Sequence, residues 1–475
     1  MHSFIDESAI YQKKKQGYVK NIFLILLAFA SAFYPRMISA VGAPSIINFL
    51  HFLIVPVVLG IVVASTPTRN RLQIRFAWDI IAGLLFFLGV MLASALLNHA
   101  GFINVVLDFI LLTEPFMLLL AISCLPLSIA SWKKLRFFLL ASAIINIILA
   151  IAQYFLLVTG ILKYSKYSLA DNVQGVFYLS GAGNYVSVSV SISVALYYFI
   201  NAKSAPLWWR MFCIFAAFYH LIVSDSKQIL VVFLLAWIIL VLTKFNDFRK
   251  LLLYFVAVVI VVGGFFWVIE NLDIEALAAF KHWANRTSIY IPPNGEGYQA
   301  KIAGISMISS YFHSPFNWLL GLGPGHTVSR LGGWVFRDYA SMLAPLGVTT
   351  HPVTEEMWAY VNSNWLILES SLFMPLFSWA GIWGDLGFVG LVTYLYLGYI
   401  VWSRLCRDDL CKLLMLTLFI YGLIITQMEE PGQTMTVAIL IGLQWHQRQI
   451  SRESLNPQAH QEVNGANRQL YTKQS

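Results

Sequence analysis

Residues 77–97 read AWDIIAGLLFFLGVMLASALL, a run with one charged residue, long enough as a helix to cross ~30 Å of hydrocarbon. A helix apolar on every face lies in a large core or in lipid, and composition decides for lipid. The 475 residues are 59% hydrophobic and only 11% charged. Comparable runs recur near 21–38, 45–64, 105–124, 137–159, 183–201, 211–224, 228–243, 251–269, 381–402, 413–429 and 433–447. The expectation is an all-α, polytopic membrane helical bundle of about twelve transmembrane helices. Cys124, Cys213, Cys406 and Cys411 lack CxxC spacing, which suggests packing residues and neither a zinc site nor a disulfide framework.

Charge orients the bundle. Most of the 31 basic residues fall in alternate connections, among them Lys13–Lys15, Arg69, Arg71, Arg75, Lys133, Lys134, Lys203, Arg249, Arg404 and Arg407. By the positive-inside rule those connections and both termini are cytoplasmic, so the net charge of +8 reflects topology and no nucleic-acid partner is expected. The chain then divides into a cytoplasmic segment (1–20) and a first bundle of about nine helices (21–269). A large periplasmic loop (270–380), the last transmembrane helices (381–447) and a polar cytoplasmic tail (448–475) follow. The basic stretch before IFLILLAFA also resembles a cleavable signal peptide, and an uncleaved first span is the favoured reading. The final helix, GQTMTVAILIGLQW, is short for a full crossing.

The loop at 270–380 is where function is expected. Two segments have helical apolar periodicity: Tyr298, Ile302, Ile305, Ile308 and Phe312 form one stripe, and Trp358, Val361, Trp365, Leu368 and Leu372 the other. Glu355, Asn362 and Glu369 recur at seven-residue spacing beside those tryptophans. Indole rings stack on sugar faces while carboxylates and amides bond hydroxyls, so a sugar site and an ordinary interfacial helix are both consistent. Between them, residues 319–325 read LLGLGPG. This lacks the G-x-G-x-x-G of a dinucleotide fold and the G-K-[ST] of a P-loop. It offers either a plain turn or an anion-binding concavity of backbone N–H groups at Gly323 and Gly325, followed by His326 and Arg330.

Arg286, Arg330, Arg337 and Lys227 are the basic residues expected to converge on an anionic ligand there, since guanidinium groups match phosphate oxygens bidentately. Lys227 follows Asp225 in a tight connection, as a functional group or as a structural ion pair.

The order of helices, LLGLGPG at 319–325, IWGDLGFVGLVTYLYL at 382–397, GVFYLSGAGNYVSVSVSISVALYYF at 175–199 and SDSKQILVVFLLAW at 224–237 resemble the bacterial O-antigen polymerase and ligase superfamily (Wzy and WaaL types). The resemblance covers roughly residues 140–400. It implies a GT-C-like bundle that moves glycans from undecaprenyl diphosphate on the periplasmic face of the inner membrane. The family's serine–arginine stands here as Ser226–Lys227, and its mid-chain loop arginine is absent, leaving Lys163 and Lys166. Arg286 to Gly297 fits a spacing described for polymerases. Ligases carry a His-Asn where this chain has Leu376–Phe377, which favours polymerase over ligase.

The implied reaction is attack by a hydroxyl of one lipid-linked repeat on the anomeric carbon of a chain held on polyprenyl diphosphate. It needs charge stabilisation from Arg286, Arg330 and Lys227, and Glu369, His351 and Asp385 are candidate bases, with a helix N-cap as the alternative role of Asp385. No cofactor and no metal are expected. Expected partners are an undecaprenyl-diphosphate-linked oligosaccharide, the lipid bilayer, a chain-length regulator and a flippase. The rival class is a lipid-linked oligosaccharide transporter, for which Asp79, Asp108 and Glu114 are the intramembrane ionisable residues to watch.

Overall fold

A computed structural model describes residues 21–66, 71–163, 168–178, 181–244 and 293–455, with isolated positions between 249 and 289. The described chain is all-helical. Its longer helices are α1 (Asn21–Phe33), α2 (Leu50–Ser65), α3 (Arg71–Asn98), α4 (Phe102–Cys124), α5 (Ile129–Val158), α6 (Gly183–Asn201), α7 (Leu207–Val223) and α8 (Lys227–Leu242). After the incompletely described stretch come α9 (Glu296–Ser310), α10 (Pro352–Ser363), α11 (Ser378–Arg404), α12 (Asp409–Ile424) and α13 (Pro431–Leu455).

Among the described residues, six helical stretches are long and apolar enough to cross a membrane: Ser45–Ser65, Arg71–Asn98, Phe102–Cys124, Ile129–Val158, Gly183–Asn201 and Ser371–Arg404. The expected twelve resolve differently because α1, α7 and α8 are apolar but shorter, and the candidate at 251–269 falls largely outside the described residues. The final helix was expected to be short. It runs from Pro431 to Leu455, and its middle is buried against α4, α6 and α1, with Met435, Ile439, Leu440 and Leu443 fully enclosed. The helix is a central post of the bundle, which is why its moderate hydropathy suffices: its neighbours are protein on most sides.

The connections α1–α2, α3–α4, α5–α6 and α12–α13 gather at one end of the bundle together with the long segment 293–377. At the opposite end Arg404 pairs with Asp79 at 2.9 Å, Lys244 with Asp409, and Arg448 lies 3.8 Å from Asp408. Asp79 therefore has a partner at a helix end. Within the bundle Glu114 bonds His51 at 2.6 Å, whereas neither carboxylate oxygen of Asp108 has a hydrogen-bond partner among the described residues.

In the long segment both anticipated amphipathic helices need correction. The first is α9, but its buried face is Gly297, Ala300, Gly304 and Ile308, while Ile302 and Ile305 face outward. Small residues bring its backbone against Pro375, so the contact is close packing and not an apolar stripe. The second is broken at Asn364, whose side chain accepts the Leu366 and Ile367 amides and starts a new short helix. Glu355, Asn362 and Glu369 consequently do not share one helix face.

Candidate functional site

Two features sit side by side at the crowded end. The first is an interlock between LLGLGPG and WGDLG. Helix α11 is interrupted at Gly387, whose φ of 64° lies in the left-handed region, and Gly321 has φ 73°. A Cβ on Gly387 would come within 2.3 Å of the Leu319 carbonyl carbon, and one on Gly321 within 2.3 Å of the Asp385 carbonyl carbon. Only glycine lets these backbones touch. The Leu322 and Gly323 amides donate to the carbonyls of Gly384 and Asp385 at 2.8 and 3.0 Å. Ser94 of α3 donates to the same Asp385 carbonyl at 2.9 Å, and Asn98 to the Gly321 carbonyl at 3.1 Å.

The turn does form an anion concavity, and the anion it holds is the chain's own. The Gly325 and Thr327 amides donate to the two oxygens of the Asp385 carboxylate, at 3.0 and 2.7 Å. Asp385 is thus not an N-cap of its own helix; it is 1% exposed and does not line the cavity beside the interlock. Gly323 and Gly325, expected to offer N–H groups to a substrate, spend them here. His326 is likewise enclosed: its ring nitrogens lie 2.9 Å from the Leu322 carbonyl and 2.8 Å from the Thr349 hydroxyl. Burial lowers its pKa, as it does for His351, whose Nδ1 accepts the Val353 amide at the start of α10.

The second feature is a cavity of about 610 Å³ beside this interlock. Arg36, Arg330 and Arg337 all line it, with Tyr185, Trp334, Tyr339, Trp358 and Glu430. Arg36, in the short helix Pro35–Ala40 between α1 and α2, donates to the Tyr339 hydroxyl at 2.8 Å, and Asn48 donates to the same oxygen at 3.1 Å. Arg337 lies over the Trp358 ring at 3.7 Å and is paired with Asp338 at 2.9 Å. Arg330 forms an ion pair with Glu430, and its amide donates to Glu429 at 2.8 Å. Burial pushes the Glu429 carboxyl up to about 8, so it is largely neutral at pH 7. The lining thus combines three guanidinium groups, two carboxylates (Asp338 and Glu430) and aromatic walls, a chemistry that suits anionic groups and flat or ring-shaped ones.

Of the residues expected to act, Arg330 and Arg337 meet in this cavity. Lys227 pairs with Asp225 at 2.8 Å, both exposed, outside the lining. Glu369 and His351 are outside it as well, and Arg286 lies outside the described residues. Sequence reasoning missed Arg36 and Glu430. Arg36 is the one lysine or arginine between Lys20 and Arg69, a lone charge between two apolar runs, and that isolation is the signal that could have found it. Glu430 sits beside Pro431, and nothing local distinguishes it.

A second, apolar cavity of about 280 Å³ lies between α4, α11, α12 and α13, lined by Phe116, Tyr394, Trp402, Phe419, Met428 and Ile441. The turn Thr426–Glu430 separates the two: Thr426 and Glu430 face the arginines, Met428 the apolar side. Among the described residues no cluster of three or more histidine, cysteine or acidic side chains is arranged to hold a metal. No family model matches the chain, and no curated protein matches its sequence.

Proposed function

We propose that this chain is a membrane glycosyltransferase of the O-antigen polymerase and ligase superfamily, with a GT-C-like bundle of about twelve spans. In this reading it joins undecaprenyl-diphosphate-linked repeats on the periplasmic face of a bacterial inner membrane. The observation that carries the reading is the meeting of Arg36 with Arg330 and Arg337, some three hundred residues further along the chain, at one cavity with Trp358, Trp334 and Tyr339 on its walls. Guanidinium groups suit the diphosphate, whose growing charge as leaving group is what such chemistry must stabilise. The aromatic walls suit sugar rings. The apolar cavity across the Thr426–Glu430 turn suits a polyprenyl tail, which would place the diphosphate near the arginines while the tail stays in lipid. The crowding of basic residues at the opposite end supports the orientation.

One observation favours a second reading. Asp108, in α4, is 1% exposed and has no hydrogen-bond partner among the described residues, the type of intramembrane carboxylate found on transport pathways. Glycans extracted from a strain lacking the protein separate the readings on one gel. A polymerase null accumulates single lipid-linked repeats or adds one repeat to the acceptor. Long chains retained on the lipid would mean a ligase, and repeats confined to the cytoplasmic leaflet a transporter.

A further inference from the structure

We propose that Glu430 is the base of the transfer and that donor binding releases it: the diphosphate takes the Arg330 guanidinium, and the freed carboxylate turns to the acceptor hydroxyl. This rests on the polymerase reading of the cavity. The bases suggested by sequence do not reach that space. Both oxygens of Asp385 accept loop amides, the His351 ring nitrogen caps α10, and Glu369 lies outside the lining. Two carboxylates do line the cavity, Asp338 and Glu430. Asp338 is half-exposed and bonded to its own neighbour, Arg337. Glu430 is 4% exposed, and its backbone is fixed where α13 begins, with its amide on the Gln427 carbonyl and its carbonyl accepting from Thr434 and Gln433.

Charge explains why this carboxylate would be freed on cue. Before the donor arrives, two of the three guanidinium groups already hold carboxylates and the third holds the Tyr339 phenol. A diphosphate diester offers Arg330 a bidentate, more highly charged partner, and the displaced Glu430 is left beside a ligand that repels it. An acceptor hydroxyl that enters the cavity is then a neutral neighbour that this carboxylate can accept from. In the step itself, the acceptor oxygen forms a bond to the anomeric carbon as its proton passes to the Glu430 carboxylate. The bond from that carbon to the diphosphate oxygen breaks, and its electron pair leaves on the diphosphate, held by Arg36, Arg330 and Arg337. Release of the lipid diphosphate returns Arg330 to Glu430, which gives its proton to water.

The test uses the full chain in lipid vesicles with a synthetic polyprenyl-diphosphate-linked repeat, scored for elongation and for donor binding. Glu430→Gln is expected to lower kcat by roughly 10²–10⁴ while donor KM falls, because the diphosphate no longer has to displace a carboxylate from Arg330. Glu430→Asp keeps the charge that pairs with Arg330, so it accumulates even if the amide variant does not, and its shorter reach lowers kcat by ~10-fold or more. Elongation at the wild-type kcat by Glu430→Gln, or a loss in either variant that is wholly a rise in donor KM, would overturn the base assignment and leave the polymerase reading standing. Absence of both elongation and donor binding in the unsubstituted protein would remove the polymerase reading itself.

Discussion

The glycine interlock and the arginine cavity lie next to each other and are both built to receive negative charge, yet one is filled and the other is open. In the interlock the loop amides have partners within the chain: the Gly325 and Thr327 amides hold the Asp385 carboxylate, and the Gly323 amide holds the Asp385 carbonyl. In the cavity the guanidinium groups also have partners, Arg330 in Glu430, Arg337 in Asp338 and Arg36 in the Tyr339 phenol, but they line about 610 Å³ of space that the chain does not fill. An anion site that the chain satisfies itself is architecture. One whose cations border empty volume is a place for a ligand.

That contrast separates two kinds of variant. The largest effect is expected at the interlock: Gly387→Val forces a branched side chain into a left-handed conformation and against the Leu319 backbone, costing ~4 kcal/mol or more. The protein should fail to accumulate, as read by quantitative immunoblotting of membranes; normal levels would mean that α11 and the 319–325 turn are not locked together. A smaller loss is expected for Asp385→Asn, where an amide nitrogen must face one of two loop amides and leave it unbonded, at ~2 kcal/mol. Thermal unfolding in detergent should shift downward while the remaining folded protein binds donor normally. Weakened donor binding at unchanged stability would turn Asp385 back into a functional residue.

The last effect is a pH dependence, at a lysine beside the cavity residue Met374. Lys301 of α9 donates to the Met374 carbonyl at 2.8 Å and to that of Ile424, and burial lowers its pKa from 10.5 to about 7. The folded form then binds fewer protons than the unfolded form between about 7 and 10.5. Its contribution to stability therefore rises with pH through that window and is lost as pH falls through about 7. Thermal unfolding of Lys301→Gln should show a flatter pH dependence from 7 to 10 than the unsubstituted protein; identical slopes would show that the lysine is solvated.

Legibility in the sequence followed the range of the interactions involved. Apolar runs that cover a whole helix, such as 77–97, 105–124 and 137–159, announce themselves because lipid imposes the same demand on every residue. Helix α13 was harder, since its neighbours are protein and its hydropathy is correspondingly moderate. The glycines of 319–325 and 382–390 were visible, but their meaning was not: spacing indicates a turn with accessible amides and says nothing of a carboxylate about sixty residues away that occupies them. Arg330 and Arg337 were legible as basic residues in a functional segment. Arg36 joins them through a hydrogen bond to Tyr339 some three hundred residues along the chain, a contact only the fold creates. The break at Asn364 defeated the seven-residue spacing because one side-chain cap outweighs a weak periodicity.

The central claim is that the arginine cavity grips the diphosphate of a lipid-linked donor. It is tested most directly by donor binding and elongation in vesicles containing Arg36→Ala or Arg337→Ala protein, with a synthetic polyprenyl-diphosphate-linked repeat. Each variant should accumulate and unfold as the unsubstituted protein does while losing roughly 10²-fold in kcat/KM, because a charge-assisted phosphate contact is removed without disturbing the interlock. Wild-type donor binding and elongation in both variants would contradict the account.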